Sequence, residues 1–327
     1  IMLYAAIEGG GTTWVVAIAK DQPDNIIESA EFVTETPEKT IENIRKWLLE
    51  RKFDALGIAT FGPIDPKIGS DTYGFITSTP KAGWTNTNVL GLLQVTEFKV
   101  PYVFDTDVNA PALAEFLLKK KENTTSCAYI TVGTGVGVGL VVNSQTVHGL
   151  LHPEAGHLLV APKTDDTFPG GCPYHSNCIE GMIGNRALAQ RLGVSPGELA
   201  SLRDDHEIWD TVAYYIACLC VQLVLTVSPE RIVIGGGLLN RKLLYAKIKM
   251  HTQKILNGYI QNTSILTNKI DEYITPSSWG NKAGIVGALF LAKLAKDKST
   301  NKQKTESSNR DIDSDIQSNM NYMHTFL

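Results

Sequence analysis

The chain has 327 residues, of which 43% are hydrophobic and 20% charged, and its formal net charge is −4. This composition is typical of a globular protein long enough for two domains, and the acidic balance argues against non-specific nucleic-acid binding. We expect no membrane-spanning segment, because no apolar run approaches about 18 residues, and no signal peptide, because Leu3–Ile7 is short and lacks a basic flank. Five cysteines, an odd number, suit a reducing cytoplasmic compartment rather than a disulfide framework.

Two glycine-rich segments, about 125 residues apart, share one pattern. Leu3–Ala19 and Cys127–Asn143 each contain an apolar run, a turn rich in Gly and Thr, and a second apolar run. Each pattern predicts a β-hairpin whose tip exposes backbone N–H groups to an anion, and neither continues as a P-loop. We therefore expect two similar halves that face each other across a cleft and hold a phosphate chain between the tips. Glu8, at the end of the first strand, is positioned to face Mg²⁺ through water.

The segments between these hairpins predict an α/β arrangement. They are a helix from Thr36 to about Glu50, a strand at Ala55–Phe61, a long polar loop at Asp71–Asn86, a strand at Pro101–Asp105 and a helix from about Ala110 to Lys121. A loop of this length inside a compact domain is usually functional. Asp107 follows the second strand, at the edge where ligands bind in open α/β sheets, although a helix N-cap is an equally reasonable role for it.

A segment between the second hairpin and the next helix predicts a metal site. Cys172, His175 and Cys178 have the spacing C-x2-H-x2-C, and His157 lies fifteen residues upstream. Thiolate and imidazole are the ligands that tetrahedral zinc prefers, and four of them close a structural site. The alternative is two buried cysteines beside surface histidines.

Two carboxylates flank these four residues. Glu154 precedes His157 by three positions, and Glu180 follows Cys178 by two. Carboxylates accept hydrogen bonds from the hydroxyl groups of a sugar, and a metal-bound imidazole has a second N–H to donate. Taken alone, each glutamate is as well explained as a solvated surface charge.

The remainder of the chain reads as alternating helices and one strand. We predict helices at Ile179–Leu192, Asp204–Val227, Asn240–Asn257 and Ala283–Ala295, and a strand at Arg231–Ile234 that ends in Gly235, Gly236 and Gly237. The three glycines allow a nucleotide base or ribose to approach the backbone, and the long second helix must be buried. Cys127, Cys218 and Cys220 lie in apolar runs and are interpreted as core residues. Residues after Lys298 are polar and low in complexity, which predicts a disordered tail.

Together these motifs resemble the ROK family of sugar kinases over roughly Tyr4 to Ala295, and within it the bacterial-type fructokinases. The resemblance is carried by the two glycine hairpins, D-x-D-x-N, E-x-x-H, the C-x2-H-x2-C loop, G-G-G, and the strings GPIDP and GFITSTPKAGW. It implies the actin/hexokinase-like (ribonuclease H-like) α/β fold, with two domains and a cleft between them. The domains implied are 1–110, with helix 283–297 packing back on it, and 111–282; residues 298–327 form the tail.

The resemblance also implies roles for individual residues. Asp107 matches the catalytic base. The positions that match sugar contacts are Gly62, Pro63, Thr79, Glu154, His157 and Glu180, with His157 also a zinc ligand beside Cys172, His175 and Cys178. The positions that match nucleotide contacts are Glu8, Gly9, Gly10, Gly11, Thr12 and Thr13 in the first hairpin, Gly133, Thr134, Gly135 and Gly137 in the second, and Gly235, Gly236 and Gly237. Two positions depart from the family pattern: Thr13 replaces the usual lysine, and Glu8 replaces an aspartate.

The implied activity is transfer of a phosphoryl group from ATP to the 6-hydroxyl of fructose, with Mg²⁺ and a structural Zn²⁺. The implied partners are a hexose and ATP, without nucleic acid or membrane, in a cytoplasmic homodimer. Two alternatives stay open at this point, a mannokinase or glucokinase and a non-catalytic sugar-binding protein. We do not expect a sugar-sensing repressor, because it needs a helix-turn-helix ahead of the first hairpin, which begins at residue 3.

Overall fold

The computed structural model describes residues 1–119 and 123–302. Its strands are β1 (Leu3–Gly9), β2 (Thr13–Lys20), β3 (Ile26–Val33), β4 (Ala55–Thr60), β5 (Phe75–Ile76), β6 (Thr87–Asn88), β7 (Tyr102–Thr106), β8 (Cys127–Val132), β9 (Val136–Val142), β10 (Gln145–Thr146), β11 (Ile232–Gly235) and β12 (Ile274–Pro276). Its α-helices are α1 (Pro37–Leu49), α2 (Val89–Leu93), α3 (Asn109–Leu118), α4 (Ile179–Ile183), α5 (Asn185–Leu192), α6 (Ile208–Thr226), α7 (Leu243–Leu256), α8 (Thr263–Leu266), α9 (Ile270–Tyr273) and α10 (283–302). Single 3₁₀ turns lie at Val95–Phe98, Ala155–His157, Pro196–Ser201, Gly237–Asn240 and Gly280–Lys282.

Two five-stranded sheets repeat one design. The first has the order β3-β2-β1-β4-β7 and the second the order β10-β9-β8-β11-β12. In each, an antiparallel hairpin (β1 with β2, β8 with β9) occupies one side, and parallel strands continue from its first strand on the other. The two glycine hairpins and the two similar halves predicted from the sequence are therefore confirmed.

Helices α3 and α10 pack between the sheets. One apolar cluster contains Ala6 and Ala59 of the first sheet, Val141 of the second, Leu113 of α3 and Leu289 of α10. Two glycines permit this contact, since an added Cβ at Gly57 of β4 would lie 1.8 Å from the Ala288 carbonyl oxygen, and one at Gly287 would lie 2.4 Å from the Pro111 nitrogen. Residues at or next to the carboxyl ends of β1, β7 and β11 lie on the same cleft.

The long polar loop is anchored more firmly than its composition suggests. Within Asp71–Asn86 the short strand β5 pairs with β6. Trp84 is fully buried, stacks on Trp14 with ring centroids 5.2 Å apart, and donates its indole N–H to the Glu35 carbonyl at 3.0 Å. Burial of aromatic rings supplies much of the packing energy of a core, so this loop is part of the first half rather than a free flap.

Several predicted boundaries are wrong. The helix predicted at Ile179–Leu192 is broken at Gly184, whose ψ of 150° is extended, and α4 and α5 are separate. The helix predicted from Asn240 begins at Leu243 after a 3₁₀ turn. Helix α10 continues to 302, so the tail does not begin at 298; residues 303–327, and the predicted end of α3 at Lys121, lie outside the described residues. Strand β3 was not predicted.

We expected no segment that is both long enough and apolar enough to span a membrane, and this expectation is wrong. Helix α6 has 19 residues, and its length and composition meet both criteria. However, 67% of its most apolar window is buried inside the protein, and Trp209, Tyr215 and Ile216 are fully enclosed by the core of the second half. Helix α6 therefore has the surroundings of a core helix.

Candidate functional site

A cavity of about 240 Å³ opens where the two halves meet. Its lining residues are Glu8, Asp107, Tyr129, Thr131, Gly236, Gly237, Gly280, Asn281, Ala283 and Gly284. They come from the end of β1, the turn after β7, strand β8, the turn after β11, and the start of α10. The lining contains two carboxylates and no lysine or arginine among the residues that the structure describes.

Asp107 lies at the carboxyl end of β7, and its backbone N–H donates to the Thr60 carbonyl of β4 at 3.0 Å. It is not the helix N-cap, because that position belongs to Val108, and the Thr106 hydroxyl oxygen accepts the Asn109 N–H at 2.9 Å. The Asp107 carboxylate is thus free to face the cavity. Burial raises the pKa of Asp107 to about 6, so the group is ionised at neutral pH yet basic enough to accept a proton.

A buried network fixes the turn that carries Asp107. The Asp105 carboxylate, 1% exposed, accepts hydrogen bonds from the Asn109 amide at 2.9 Å and the Thr106 N–H at 2.8 Å, and lies 3.0 Å from His148 Nε2. The Asn109 side-chain oxygen in turn accepts the Leu140 N–H of β9 at 3.1 Å. Because these groups come from both halves, they set the position of β7 relative to β9.

Carboxylates concentrate around Asp107. Burial and the charge of Asp107 raise the pKa of Glu8 to about 7, and burial together with the charges of Asp107 and Glu180 raises that of Glu154 to about 7. Glu8 approaches the start of α10, where an added Cβ at Gly284 would lie 1.9 Å from Glu8 Oε1. Acidic groups that repel one another in a partly enclosed cleft favour a bound cation or hydroxyl donors.

The tip of the second hairpin contacts the other site elements. Gly133 N–H donates to the Gly135 carbonyl at 2.9 Å, and a Cβ at Gly133 would be 3.8 Å from the Gly237 nitrogen. The Val136 N–H donates to Glu180 Oε2 at 3.0 Å. An added Cβ at Gly135 would lie 2.4 Å from that oxygen, and one at Gly137 would lie 2.7 Å from the Val108 side chain. These glycines permit close packing between the hairpin, the helix α4 and the Asp107 turn.

The four predicted metal ligands form one cluster. The ligand atoms of His157, Cys172, His175 and Cys178 all lie within 4.8 Å of one another. The two imidazole Nδ1 atoms are 3.3 Å apart, and His157 Nδ1 lies 3.7 Å from Cys172 Sγ and 3.5 Å from Cys178 Sγ. A tetrahedron with ordinary zinc bond lengths has edges of roughly 3.4 Å between nitrogens and roughly 3.6 Å between nitrogen and sulfur. The donor set and its dimensions therefore fit a tetrahedral metal ion.

His157 connects this cluster to the cleft. Its Nδ1 faces the two cysteines, while its Nε2 lies 3.9 Å from Glu180 Oε1. Glu180 stands on the first turn of α4. The N-cap of this helix is Cys178, whose sulfur accepts the Gly181 N–H at 3.3 Å. The orientation of both cleft-facing groups thus depends on the cysteine and histidine cluster.

Some predicted site residues are not brought into the cavity. The first hairpin closes through a Gly10 N–H to Thr13 carbonyl bond of 3.0 Å, and its tip residues Gly11 and Thr12 are exposed. Gly9 packs on Trp14 below the tip. In the polar loop, the Thr79 hydroxyl accepts the Lys81 N–H at 3.3 Å.

Of the three glycines at the end of β11, Gly236 and Gly237 line the cavity, and Gly237 has open space around its Cα. Added Cβ atoms at Gly235 and Gly236 would meet the Tyr129 hydroxyl at 2.7 Å and the Val132 carbonyl at 2.3 Å. The first two glycines therefore serve close packing of β11 against β8. Contact of all three glycines with a nucleotide stays a prediction.

Several residues of the cleft were missed from the sequence. Tyr129 and Thr131 lie inside an apolar strand, and Asn281 follows β12 in the segment SSWGNKAG. Gly280, shortly before an apolar helix, was a usable signal for a ligand-binding turn. His148 and His152 gave no local signal, because their partners lie 43 and 88 positions away.

The comparisons with known proteins agree with this arrangement. The ROK family model matches residues 4–295. The chain is 38% identical to the fructokinase of Streptococcus mutans (89% of this chain, 97% of the relative) and 38% identical to that of Lactococcus lactis subsp. cremoris (88% and 96%). The fold also matches the ROK hexokinase structure from Thermus thermophilus, with a TM-score of 0.70, 21% identity, and coverage of 91% of this chain and 100% of that one.

The chain has the actin-like fold of that structure. The fructokinase relatives, with the family match, show that it is a sugar kinase. The chain belongs to the ROK family.

Proposed function

We propose that this protein transfers the γ-phosphoryl group of ATP to the 6-hydroxyl of fructose, giving fructose 6-phosphate and ADP. The observation that carries the proposal is the position of Asp107 in one cavity with Glu8 and Gly237, close to the charges of Glu154 and Glu180. The choice of fructose rests on the fructokinase relatives.

Asp107 acts as the general base. As the 6-oxygen forms its bond to the γ-phosphorus and the bond to the β-bridging oxygen breaks, the Asp107 carboxylate accepts the hydroxyl proton. A pKa of about 6 leaves this carboxylate ionised at pH 7, so the base is ready before the substrates bind. Positioning by the buried Asp105 network keeps it at the cavity wall.

Glu154, His157 and Glu180 hold the hexose. Glu154 is partly exposed and Glu180 is adjacent to His157, so the three present two acceptors and one imidazole N–H to the sugar hydroxyls. Gly62, Pro63 and Thr79 form the opposite side of this pocket, as the family resemblance implies. The raised pKa of Glu154 is consistent with a group that gains a hydroxyl donor when the sugar binds.

ATP occupies the cleft between the two hairpins, with its phosphates at Gly9–Thr13 and Gly133–Gly137 and its adenosine near Gly237. Glu8 would hold Mg²⁺ through water, and the charge of the ion would offset that of the phosphates and relieve the repulsion between Glu8 and Asp107. Thr13 leaves this site one positive charge short of the family pattern. Backbone N–H groups therefore carry more of the phosphate binding here.

The cluster of His157, Cys172, His175 and Cys178 binds a structural zinc ion. Its dimensions suit a tetrahedral N₂S₂ site, and no ligand position is left for substrate. The ion orients His157 toward Glu180 and anchors the start of α4, so its effect on catalysis is indirect.

We further infer the domain boundaries and the oligomeric state of the protein. The domains are 1–110, completed by helix 283–297, and 111–282, and they close over bound substrates to exclude water. The protein works as a cytoplasmic homodimer, as the family resemblance implies.

The test is an ADP-release assay with ATP and Mg²⁺, offering fructose, mannose and glucose in parallel. We expect the highest kcat/KM on fructose. Turnover confined to mannose or glucose would assign the same chemistry to another hexose. Absence of turnover on all three, in protein that contains zinc, would favour a non-catalytic sugar-binding protein, with Thr13 as the reason.

A further inference from the structure

One buried histidine joins the two halves at the edge of the proposed hexose pocket. His152 lies between β10 and the 3₁₀ turn Ala155–His157, and its side chain is 3% exposed. Its Nε2 accepts the backbone N–H of Ile64 at 3.0 Å. Ile64 follows β4 in the first half, 88 positions away, so this bond connects two loops that share no local sequence.

The hydrogen bonds of His152 fix its tautomer. Because Nε2 accepts a hydrogen bond, it carries no proton, and the ring proton of the neutral imidazole resides on Nδ1. Nδ1 lies 3.3 Å from the Pro153 carbonyl oxygen and 3.7 Å from Glu154 Oε1. Burial lowers the pKa of His152, which favours this neutral form. One imidazole therefore contacts the loop of Ile64 and the loop of Glu154 at once.

The packing around Gly62 points to the same role. An added Cβ at Gly62 would lie 3.1 Å from His152 Nε2 and 3.0 Å from the Ile64 nitrogen. From the other side, Thr77 holds the loop through its N–H and hydroxyl, which donate to the Pro63 carbonyl at 2.8 and 3.0 Å. The segment Gly62–Ile64 is thus held between Thr77 of its own half and His152 of the other half.

We propose that His152 is a positioning residue for hexose binding, which holds the Gly62–Ile64 loop and the Glu154 loop at a fixed separation. This inference rests on the proposed function, since it treats those two loops as opposite walls of the hexose pocket. Neither loop contributes to the lining of the cavity at Glu8 and Gly237. The contribution of His152 is therefore to sugar affinity and not to ATP affinity.

A matched pair of substitutions tests this role. In His152→Gln the side-chain oxygen reaches the position of Nε2 and accepts the Ile64 N–H, whereas in His152→Asn it is one methylene short. We expect the KM for fructose to stay within about twofold in the glutamine variant and to rise roughly tenfold in the asparagine variant, because a buried N–H loses its acceptor. KM for ATP and kcat should change less than about threefold in both.

A double-mutant cycle checks that the effect passes through Gly62. Gly62→Ala should raise the KM for fructose in the otherwise native chain, and raise it less when combined with His152→Asn, because the imidazole that its Cβ would meet is gone. His206→Asn is the control: His206 Nδ1 accepts the Ile208 N–H at 3.1 Å at the start of α6. The control should leave the KM for fructose unchanged.

The outcomes separate the inference from the proposed function. A native chain that phosphorylates fructose, with equal fructose KM in the glutamine and asparagine variants, would refute the role of His152 and leave the kinase intact. Equal rises in the KM for ATP and for fructose would also refute it, since that indicates a general loss of structure. Sugar binding by the native chain is measured by calorimetry as well, and a chain that binds no hexose would overturn both proposals.

Discussion

Glu8 offers a quantitative test of the acidic cleft. Its pKa of about 7, against the ordinary glutamate value of 4.5, means that the folded protein holds a proton that the unfolded chain releases. Stability should therefore fall as the pH rises from about 4.5 to 7 and level off above. The largest possible effect is about 3 kcal/mol, at about 1.4 kcal/mol for each tenfold change in proton affinity. Because Glu8 is half-buried beside a cleft open to water, screening reduces this to about 1–2 kcal/mol.

The substitution Glu8→Gln keeps the shape of the side chain and removes the charge. We expect it to stabilise the ligand-free protein at pH 8 by about 1–2 kcal/mol and to have little effect at pH 4.5. Urea unfolding at several pH values measures this difference, and Glu272→Gln, an exposed carboxylate on α9, is the control. Mg²⁺ should stabilise the native protein at pH 8 and have less effect on Glu8→Gln. A free-energy difference between native protein and Glu8→Gln that does not change with pH would refute this account.

Three further substitutions have defined outcomes. Cys178→Ser should lose zinc by metal analysis, unfold at a lower temperature and bind fructose more weakly; full activity and stability without metal would contradict the structural role. Thr13→Lys should lower the KM for ATP a few-fold without changing the KM for fructose, and an unchanged KM for ATP would mean that position 13 does not face the phosphates. Glu115→Ala removes a fully buried carboxylate that accepts bonds from Ser277 and Ser278 and pairs with Arg231. It should cost about 3–5 kcal/mol in urea unfolding, and a loss below about 1 kcal/mol would contradict that.

Features whose residues lie close together in the sequence could be predicted. Each glycine hairpin is complete within about 17 residues, and the spacing of Cys172, His175 and Cys178 lets one loop present three ligand atoms. The position of Asp107 at the end of a strand followed from the change from apolar to polar residues. In these cases the physical cause and the sequence signal lie in the same segment.

Features that depend on distant partners could not be predicted. Strand β3 presents Glu28 and Glu31 to solvent and pairs only with β2, so its apolar alternation is weak. Gly184, with a ψ of 150°, separates α4 from α5. An added Cβ there would lie 3.2 Å from the Thr134 carbonyl oxygen, and this close approach of the second hairpin has no signal in the local sequence. Composition also does not distinguish α6, enclosed by its own fold, from a membrane helix.

We infer that Asp107 accepts the proton of the sugar hydroxyl during phosphoryl transfer from ATP. The most direct measurement compares formation of fructose 6-phosphate by the native protein, Asp107→Asn and the surface control Asp24→Asn, with fructose binding measured in parallel. We expect Asp107→Asn to bind fructose normally and to lose at least about 100-fold in kcat, and we expect no change in the control. The native kcat/KM for fructose should also fall as the pH drops through about 6, as the pKa of Asp107 in the ligand-free protein requires. An Asp107→Asn protein with native turnover would contradict the role of Asp107 as the general base.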